Sequence, residues 1–452
     1  MDRPDLFVDI PLATRTPPAS ACDADTEEFL RVLRWWFAKD LKHIHGQLCK
    51  PYNSVLGEHF LCHWDVPLDA QVGSMYTTEQ ASSSAASSKY DEDDFVSAES
   101  GSDSDELPKA LGTMPVVRIH GYMESPPIHP IPNNTSHPAH PESTLSLNRR
   151  HRVALINEQI SHHPPVSAFV YTCPELGMTA RGVDHLAFHF NGTSLKVGPG
   201  DWSDGVFLHV HDREYHLQHG NAFLNGWLRG RLYISMVGQV VHECKQTGLR
   251  CVLNYKNEKW TGKLRGAFTG QLLRTTPGTP ESVKSMHSRS KSEAIKPTSS
   301  RYRWFTRSYS NGGRSASSDT DSPAQETAES EECLVGTLDG SWRGEVYFTP
   351  IGGDRQLLID LEPLRPWPKQ VRPLEEQGPY ESRRFWQHLT NALLERDWNT
   401  AQRIKHDIEE EQRRLRKQRE ERGEPFVAEW MDLAQHGKPK LKKSLPDFLV
   451  FS

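Results

Sequence analysis

No stretch of this 452-residue chain approaches eighteen consecutive apolar residues. No segment therefore reads as a membrane-spanning helix, and contact with a bilayer would be peripheral. No basic leader followed by an apolar core opens the chain either. Its seven cysteines, Cys22, Cys49, Cys62, Cys173, Cys244, Cys251 and Cys333, form no Cys-x-x-Cys pair. An odd, dispersed set of this kind reads as reduced thiols in the cytosol rather than a disulfide framework. Positive charge is not in excess: a net charge of −6 removes bulk electrostatics as an argument for nucleic-acid binding. Gly-x-Ser-x-Gly, P-loop and His-Glu-x-x-His patterns are missing and no catalytic dyad stands out, so the chain does not read as an enzyme. No internal repeat is visible.

Apolar residues make up 36% of the chain, below a typical globular share. The deficit sits in two segments. Residues 75–110 are dominated by Ser, Asp and Glu, and residues 275–332 pass from Ser/Lys/Arg-rich to acidic. Neither can bury enough apolar surface to offset its ordering entropy, so both are expected to be disordered inserts. Residues 124–146, rich in Pro and His, read as loop. The remaining roughly 340 residues suffice for one large core.

Residues 25–44 read as an amphipathic helix. Asp25 would cap it, Glu28 would complete a capping box, and Phe29, Leu30, Leu33, Trp36, Phe37, Leu41 and Ile44 would face the core. From 114 to 273, short β-branched or aromatic runs recur at 115–122, 153–156, 166–171, 206–211, 231–237 and 249–255. Turn residues such as Asn191-Gly192 and Asn225-Gly226 separate them. Strand signals return at 333–348 and 356–361. A helix at 381–398 and a second one, capped by Asn399 or Thr400 and running to about Glu421, follow. Many short, closely spaced strands predict a sandwich or a barrel.

Residues 158–165 read Glu-Gln-Ile-Ser-His-His-Pro-Pro. Proline fixes its own φ and pushes the preceding residue toward extended geometry, so His162 and His163 are expected on a stiff segment at a strand edge. Protonated, the pair offers up to four ring N–H donors, which suits a phosphate. This octet closely resembles the signature of the oxysterol-binding-protein-related lipid-transfer family. Lys50-Pro-Tyr-Asn-Ser-Val-Leu-Gly-Glu58 resembles a second family element, with Ser54 in place of a proline. Tyr380–Trp386 and Lys405–Arg413 resemble a third. The three stand in family order, and the resemblance covers about residues 2–431.

The resemblance implies a β-rich α+β fold. An incomplete antiparallel β-barrel would enclose an apolar lipid tunnel, with helices flanking it at both ends. The lipid-binding domain would span 1–431 and a C-terminal tail 432–452. The chain would start inside the family's domain, without the N-terminal lid. The implied function is lipid binding and transfer between membranes, without catalysis or cofactor. Phosphatidylinositol 4-phosphate would be one ligand, and a sterol or another phospholipid the second. Ile44 and His45, at positions where sterol binders carry other residues, weigh against a sterol. Lys50, Asn53, His162, His163, Lys405, Glu409 and Arg413 would hold the headgroup. Without the family, Lys405, Glu409 and Arg413 at i, i+4, i+8 would read as a surface salt-bridge ladder. The alternative function is a phosphoinositide sensor or scaffold that transfers nothing.

Asp94-Phe95-Val96-Ser97-Ala98-Glu99 lies in an acidic tract with eight carboxylates and no Lys or Arg between Asp91 and Glu106. It resembles the FFAT motif that binds VAP receptors of the endoplasmic reticulum. Asp94, Phe95, Ser97 and Ala98 would make the contact, and phosphorylation of Ser97 would supply a charge the motif usually carries. The protein would then be cytoplasmic and peripheral at membrane contact sites. Arg301–Tyr309 interleaves cations with aromatics and could rest on an anionic membrane surface. His43-Ile-His45 and His209-Val-His211 are the pairs a metal could use, but no further ligands stand at structural spacing.

Overall fold

The computed structural model describes residues 2–14, 22–45, 52–67, 150–191, 194–225, 233–256, 266–275 and 332–451. Helices α1 (Pro4–Asp9), α2 (Ala24–Phe37) and α3 (Leu41–His45) lead. The strands are β1 (His59–Pro67), β2 (Arg150–His162), β3 (Pro165–Cys173), β4 (Met178–Asn191), β5 (Ser194–Pro199), β6 (Val206–Val210), β7 (Arg213–Leu217), β8 (Asn221–Asn225), β9 (Tyr233–Cys244), β10 (Leu249–Tyr255), β11 (Ala267–Thr275), β12 (Glu332–Ser341), β13 (Glu345–Pro350) and β14 (Gln356–Asp360). Helices α4 (Ser382–Phe385), α5 (Gln387–Leu394) and α6 (Trp398–Arg422) follow. The small strands β15 (Met431–Asp432) and β16 (Lys440–Leu441) come last.

β1 to β14 form one antiparallel sheet. It divides at β4 and rejoins at β9. Thr179–Gly182 of β4 pair with β6, while Leu186–Asn191 pair with β5. One branch returns through β6 and β7, the other through β5 and β8. The edge of β1 is not left open. His63 bridges Gln370 and His59 bridges Glu381, both from the segment that follows β14. The sheet is thus an incomplete antiparallel barrel whose first strand meets the chain beyond its last.

Over β1–β3 and the first part of β4, Met178–Val183, both faces are covered, which is why 166–171 reads as an unbroken apolar run rather than an alternation. On the inner face α1 and α2 pack against Trp64, Tyr171 and Phe268. Phe7 lies 4.7 Å from Tyr171, and Phe37 stacks on Phe268 at 5.2 Å. Each large apolar side chain buried here contributes about 1.5–3 kcal/mol. On the outer face Trp430, Met431 and Leu449 cover Leu61, Ile156, Val166, Ala168 and Val170. Leu433, Leu441, Leu445, Phe448 and Leu449, beyond Met431, all pack in this cluster.

Two helix starts differ from expectation. Asp23, not Asp25, caps α2 by accepting the Thr26 N–H at 2.8 Å. Asp25 is drawn away by Arg213 at 2.7 Å, and buried Glu28 accepts from Tyr215 Oη at 2.5 Å. The regular α2 also ends at Phe37, passing through a 3₁₀ turn into α3. At α6, Asp397 is the cap and the Thr400 N–H its donor. The expected strand 115–122, residues 124–146 and the two inserts, apart from Thr275 and Glu332 at strand ends, lie outside the described residues.

Candidate functional site

His162 closes β2 and Pro165 opens β3, and the two pair across the hairpin. The histidines thus sit at a hairpin tip between interior strands flanked by β1 and β4, not at a sheet edge. The His163–Pro164 peptide is cis. The two rings meet edge to face, with centroids 4.5 Å apart. His162 Nδ1 donates to the Ser54 carbonyl at 3.0 Å. With Nδ1 committed, only Nε2 remains for an anion, and it donates only from the imidazolium. Partial desolvation, then His162 and the Arg416 guanidinium, hold the His163 imidazole below the ordinary histidine range.

The loop carrying Asn53 is fixed against this hairpin. The Gly57 N–H donates to the Gln159 carbonyl at 2.9 Å, and the Gln159 N–H to the Glu58 carbonyl at 2.8 Å. Gly57 takes a φ of +83°, which favours glycine. Glu58 accepts from the Val55 N–H and from Trp386 Nε1, both at 3.0 Å. Tyr52 stacks on Trp386 at 4.7 Å and bonds Thr390 Oγ1 at 2.9 Å. The loop is wedged between the histidine hairpin and α5, with Asn53 exposed. Lys50 lies outside the described residues.

α6 brings the third group. Ala401, Ile404 and Ile408, at i, i+3, i+7, pack into the cluster of Val55, Trp386 and Leu389. Lys405, Glu409 and Arg413 follow one step around the helix and are exposed. Lys405 pairs with Glu409 at 3.6 Å and Arg413 with Glu409 at 3.9 Å; Arg413 also pairs with Glu410. Among the described residues, no ion pair joins these three to the histidines. Arg416 continues the same stripe at i+11, and its charge reaches His163. Sequence reasoning passed over Arg416, although its spacing from Lys405 was a usable signal.

Glu158, the first residue of the octet, has another task. It is 1% exposed, and its carboxylate accepts the N–H groups of Glu429, Trp430 and Met431 at 2.6, 2.9 and 3.0 Å. It thereby clamps the strap that leaves α6 to the strand that carries the histidines. Gln159, next to it, holds the loop on the other side.

An apolar surface begins at the same end of the sheet. Val166 pairs with Ser161 and with His185, so Leu186 stands level with the His162–Pro165 pair that ends the histidine hairpin. Two cross-strand rows follow: Phe188–Val197–Ala222–Met236 and Phe190–Leu195–Leu224–Ile234. By alternation from Met178 and Ala180 they continue the inner face. Here, among the described residues, no helix covers it: Leu186, Phe188 and Phe190 are 53%, 56% and 67% exposed. Met236 also lines a small cleft of about 20 Å³ with Trp36, Phe37, Val240, Tyr255, Trp342 and the Lys39–Asp40 pair.

Other expectations meet the structure unevenly. The His209/His211 pair is broken, because His211 lies in the β6–β7 turn at φ +53°. Asp94, Phe95, Ser97, Ala98 and the segment 301–309 lie outside the described residues. None of the described helices is long and apolar enough to cross a membrane.

Comparison with known proteins bears on these features together. The oxysterol-binding protein family model matches residues 142–444. Oxysterol-binding protein-like protein 1 of Schizosaccharomyces pombe is 30% identical over 99% of this chain and 84% of its own length. Oxysterol-binding protein-like protein OBPa of Candida albicans is 25% identical over 60% of this chain, and human oxysterol-binding protein-related protein 11 is 23% identical over 95%. The chain spans only 50% and 42% of those two relatives' lengths. The crystal structure of the Osh1 ORD domain in complex with cholesterol shares the fold, with a TM-score of 0.52 at 14% identity over 97% of this chain and 78% of that one.

Proposed function

The chain belongs to the oxysterol-binding protein family, and from that premise we propose that it binds phosphatidylinositol 4-phosphate and carries lipid between membranes without chemical change. The observation behind this reading is the convergence of three segments distant in sequence. The histidine hairpin, the Asn53 loop bonded to it through Ser54, and α6 packed on Val55 all meet at one end of the sheet. In this reading His162 Nε2 and His163 donate to the phosphate, Lys50 and Arg413 neutralise it, and Lys405 joins them. Asn53 and Glu409 address ring hydroxyls. A dianionic monoester against two imidazoles and several cations is a charge-assisted arrangement.

The apolar part of the lipid would lie on the exposed rows of β4, β5, β8 and β9. Each methylene buried there contributes about 0.8 kcal/mol. A sterol or a second phospholipid would compete for the same surface. The FFAT-like segment around Phe95 would dock the protein at the endoplasmic reticulum, placing it in the cytoplasm at membrane contacts. Incubation with liposomes carrying labelled phosphatidylinositol 4-phosphate, followed by flotation, tests the proposal. Transfer predicts labelled lipid in the soluble protein fraction. Protein that floats with the liposomes without depleting them would instead support the sensor.

A further inference from the structure

At the far end of β2 from the histidine hairpin, three side chains of metal-binding type meet. The donor atoms of His151, Cys173 and Glu175 all lie within 4.8 Å of one another. The topology explains the meeting. Ala154 pairs with Thr172 across β2 and β3, so Cys173 falls opposite Val153, and His151, two residues on, shares its face. The chain then turns sharply through Pro174–Leu176 and Gly177, the latter at φ +63°, which returns Glu175 toward the thiol. Cys173 Sγ lies 3.4 Å from Glu175 Oε2. Cys173 is buried, His151 half-buried and Glu175 exposed, so the group opens to solvent on the carboxylate side.

We propose that His151, Cys173 and Glu175 form a zinc site, with water as the fourth ligand. The donor set decides the metal. Thiolate and imidazole favour zinc over magnesium or calcium, which take oxygen ligands. Tetrahedral coordination at about 2.0–2.3 Å from each donor needs donors about 3.3–3.8 Å apart, a small contraction of the observed group. Burial, then the Glu175 carboxylate, push the metal-free Cys173 thiol up to about 12 against the opposing backbone N–H groups of Leu176 and Glu175, so zinc would bind here by displacing the thiol proton. His151 and His162 stand eleven residue steps apart on β2, roughly 35 Å along an extended strand, so this site is independent of the headgroup site. Bound zinc would staple the start of β2 to the β3–β4 turn.

The test uses the full chain, stripped with chelator and titrated with Co²⁺ as a spectroscopic substitute. One Co²⁺ per chain should bind with thiolate-to-cobalt charge-transfer absorption, and Zn²⁺ should displace it. Cys173→Ser should abolish that absorption. Glu175→Gln, at an exposed position that does not threaten folding, removes a direct ligand and should weaken binding at least tenfold, since even loss of an outer partner of a metal site costs roughly 10–100-fold. Cys333→Ser, which removes an exposed thiol on β12, should change nothing. Absence of the charge-transfer band would overturn the assignment. So would its persistence in Cys173→Ser, its loss in Cys333→Ser, or unaltered affinity in Glu175→Gln.

Discussion

Removing the Glu158 carboxylate should release the strap that runs from α6 over the outer face of the sheet. Three backbone N–H groups, of Glu429, Trp430 and Met431, converge on this one buried side chain. Hydrogen bonds to a charged acceptor contribute about 1.5–3 kcal/mol each, which would sum to roughly 4.5–9 kcal/mol if they were independent. They are not, because the strap can peel away and give its N–H groups to water. We therefore expect Glu158→Ala to cost about 3–5 kcal/mol, as for other buried charged groups that lose a partner. Glu158→Gln keeps the volume but turns an NH₂ toward three donors, and should cost about 1–3 kcal/mol. Hydrogen exchange read at 429–431 and at β10 distinguishes local from global loss. The strap amides should exchange faster in Glu158→Gln while β10 stays protected, and headgroup binding should weaken as α6 loses its anchor. Wild-type exchange at 429–431 with an unchanged melting temperature would refute the clamp.

The stripe on α6 gives a separable effect. Arg413→Glu and Arg416→Glu should each reduce lipid extraction at least tenfold, about 1.4 kcal/mol, with little change in melting temperature, because both residues are exposed. Intact extraction with a small stability loss would mean the stripe is only a salt-bridge ladder. A peptide spanning 89–106 should bind a VAP receptor domain several-fold more tightly when Ser97 is phosphorylated, since the phosphate adds roughly −1.5 to −2 charges. Phe95→Ala should remove binding of both forms by calorimetry, and equal, undetectable binding of the parent pair would leave the segment a solvated linker. Burial pushes the His242 imidazole down to about 3, and among the described residues neither of its ring nitrogens has a hydrogen-bond partner. Because the unfolded chain binds that proton near pH 6.5 and the folded one does not, stability is full above 6.5 and falls as the pH drops toward 3. The loss from this group is about 2 kcal/mol by pH 5, so His242→Leu should flatten the acid side of the melting-temperature profile. Parallel profiles would contradict the assignment.

The strands that sequence revealed are those with β-branched runs buried on both faces, such as β3 and β10. β4 escaped because Gly182, His185 and His189 interrupt its pattern and because its two halves pair with different strands. β1 escaped because His63 and Asp65 break its run. Cap positions slipped where two aspartates competed, and Arg213 rather than propensity settled that contest at Asp25. The histidine pair was legible as a motif. Its anchorage was not, since Ser54, Gly57 and Gln159 act through backbone atoms that leave no mark on residue type. The role of Glu158 was hidden for the same reason: its partners are three main-chain N–H groups 271–273 residues away.

The central claim, that the hairpin histidines hold the phosphate of the lipid headgroup, is tested most directly by one variant. His162→Ala combined with His163→Ala should be assayed for extraction of phosphatidylinositol 4-phosphate from liposomes beside the parent protein, with folding checked by melting temperature. Loss of two charge-assisted hydrogen bonds of about 1.5–3 kcal/mol each predicts binding weaker by roughly a hundredfold or more, with the fold retained. Normal extraction by a folded double variant would contradict the headgroup assignment.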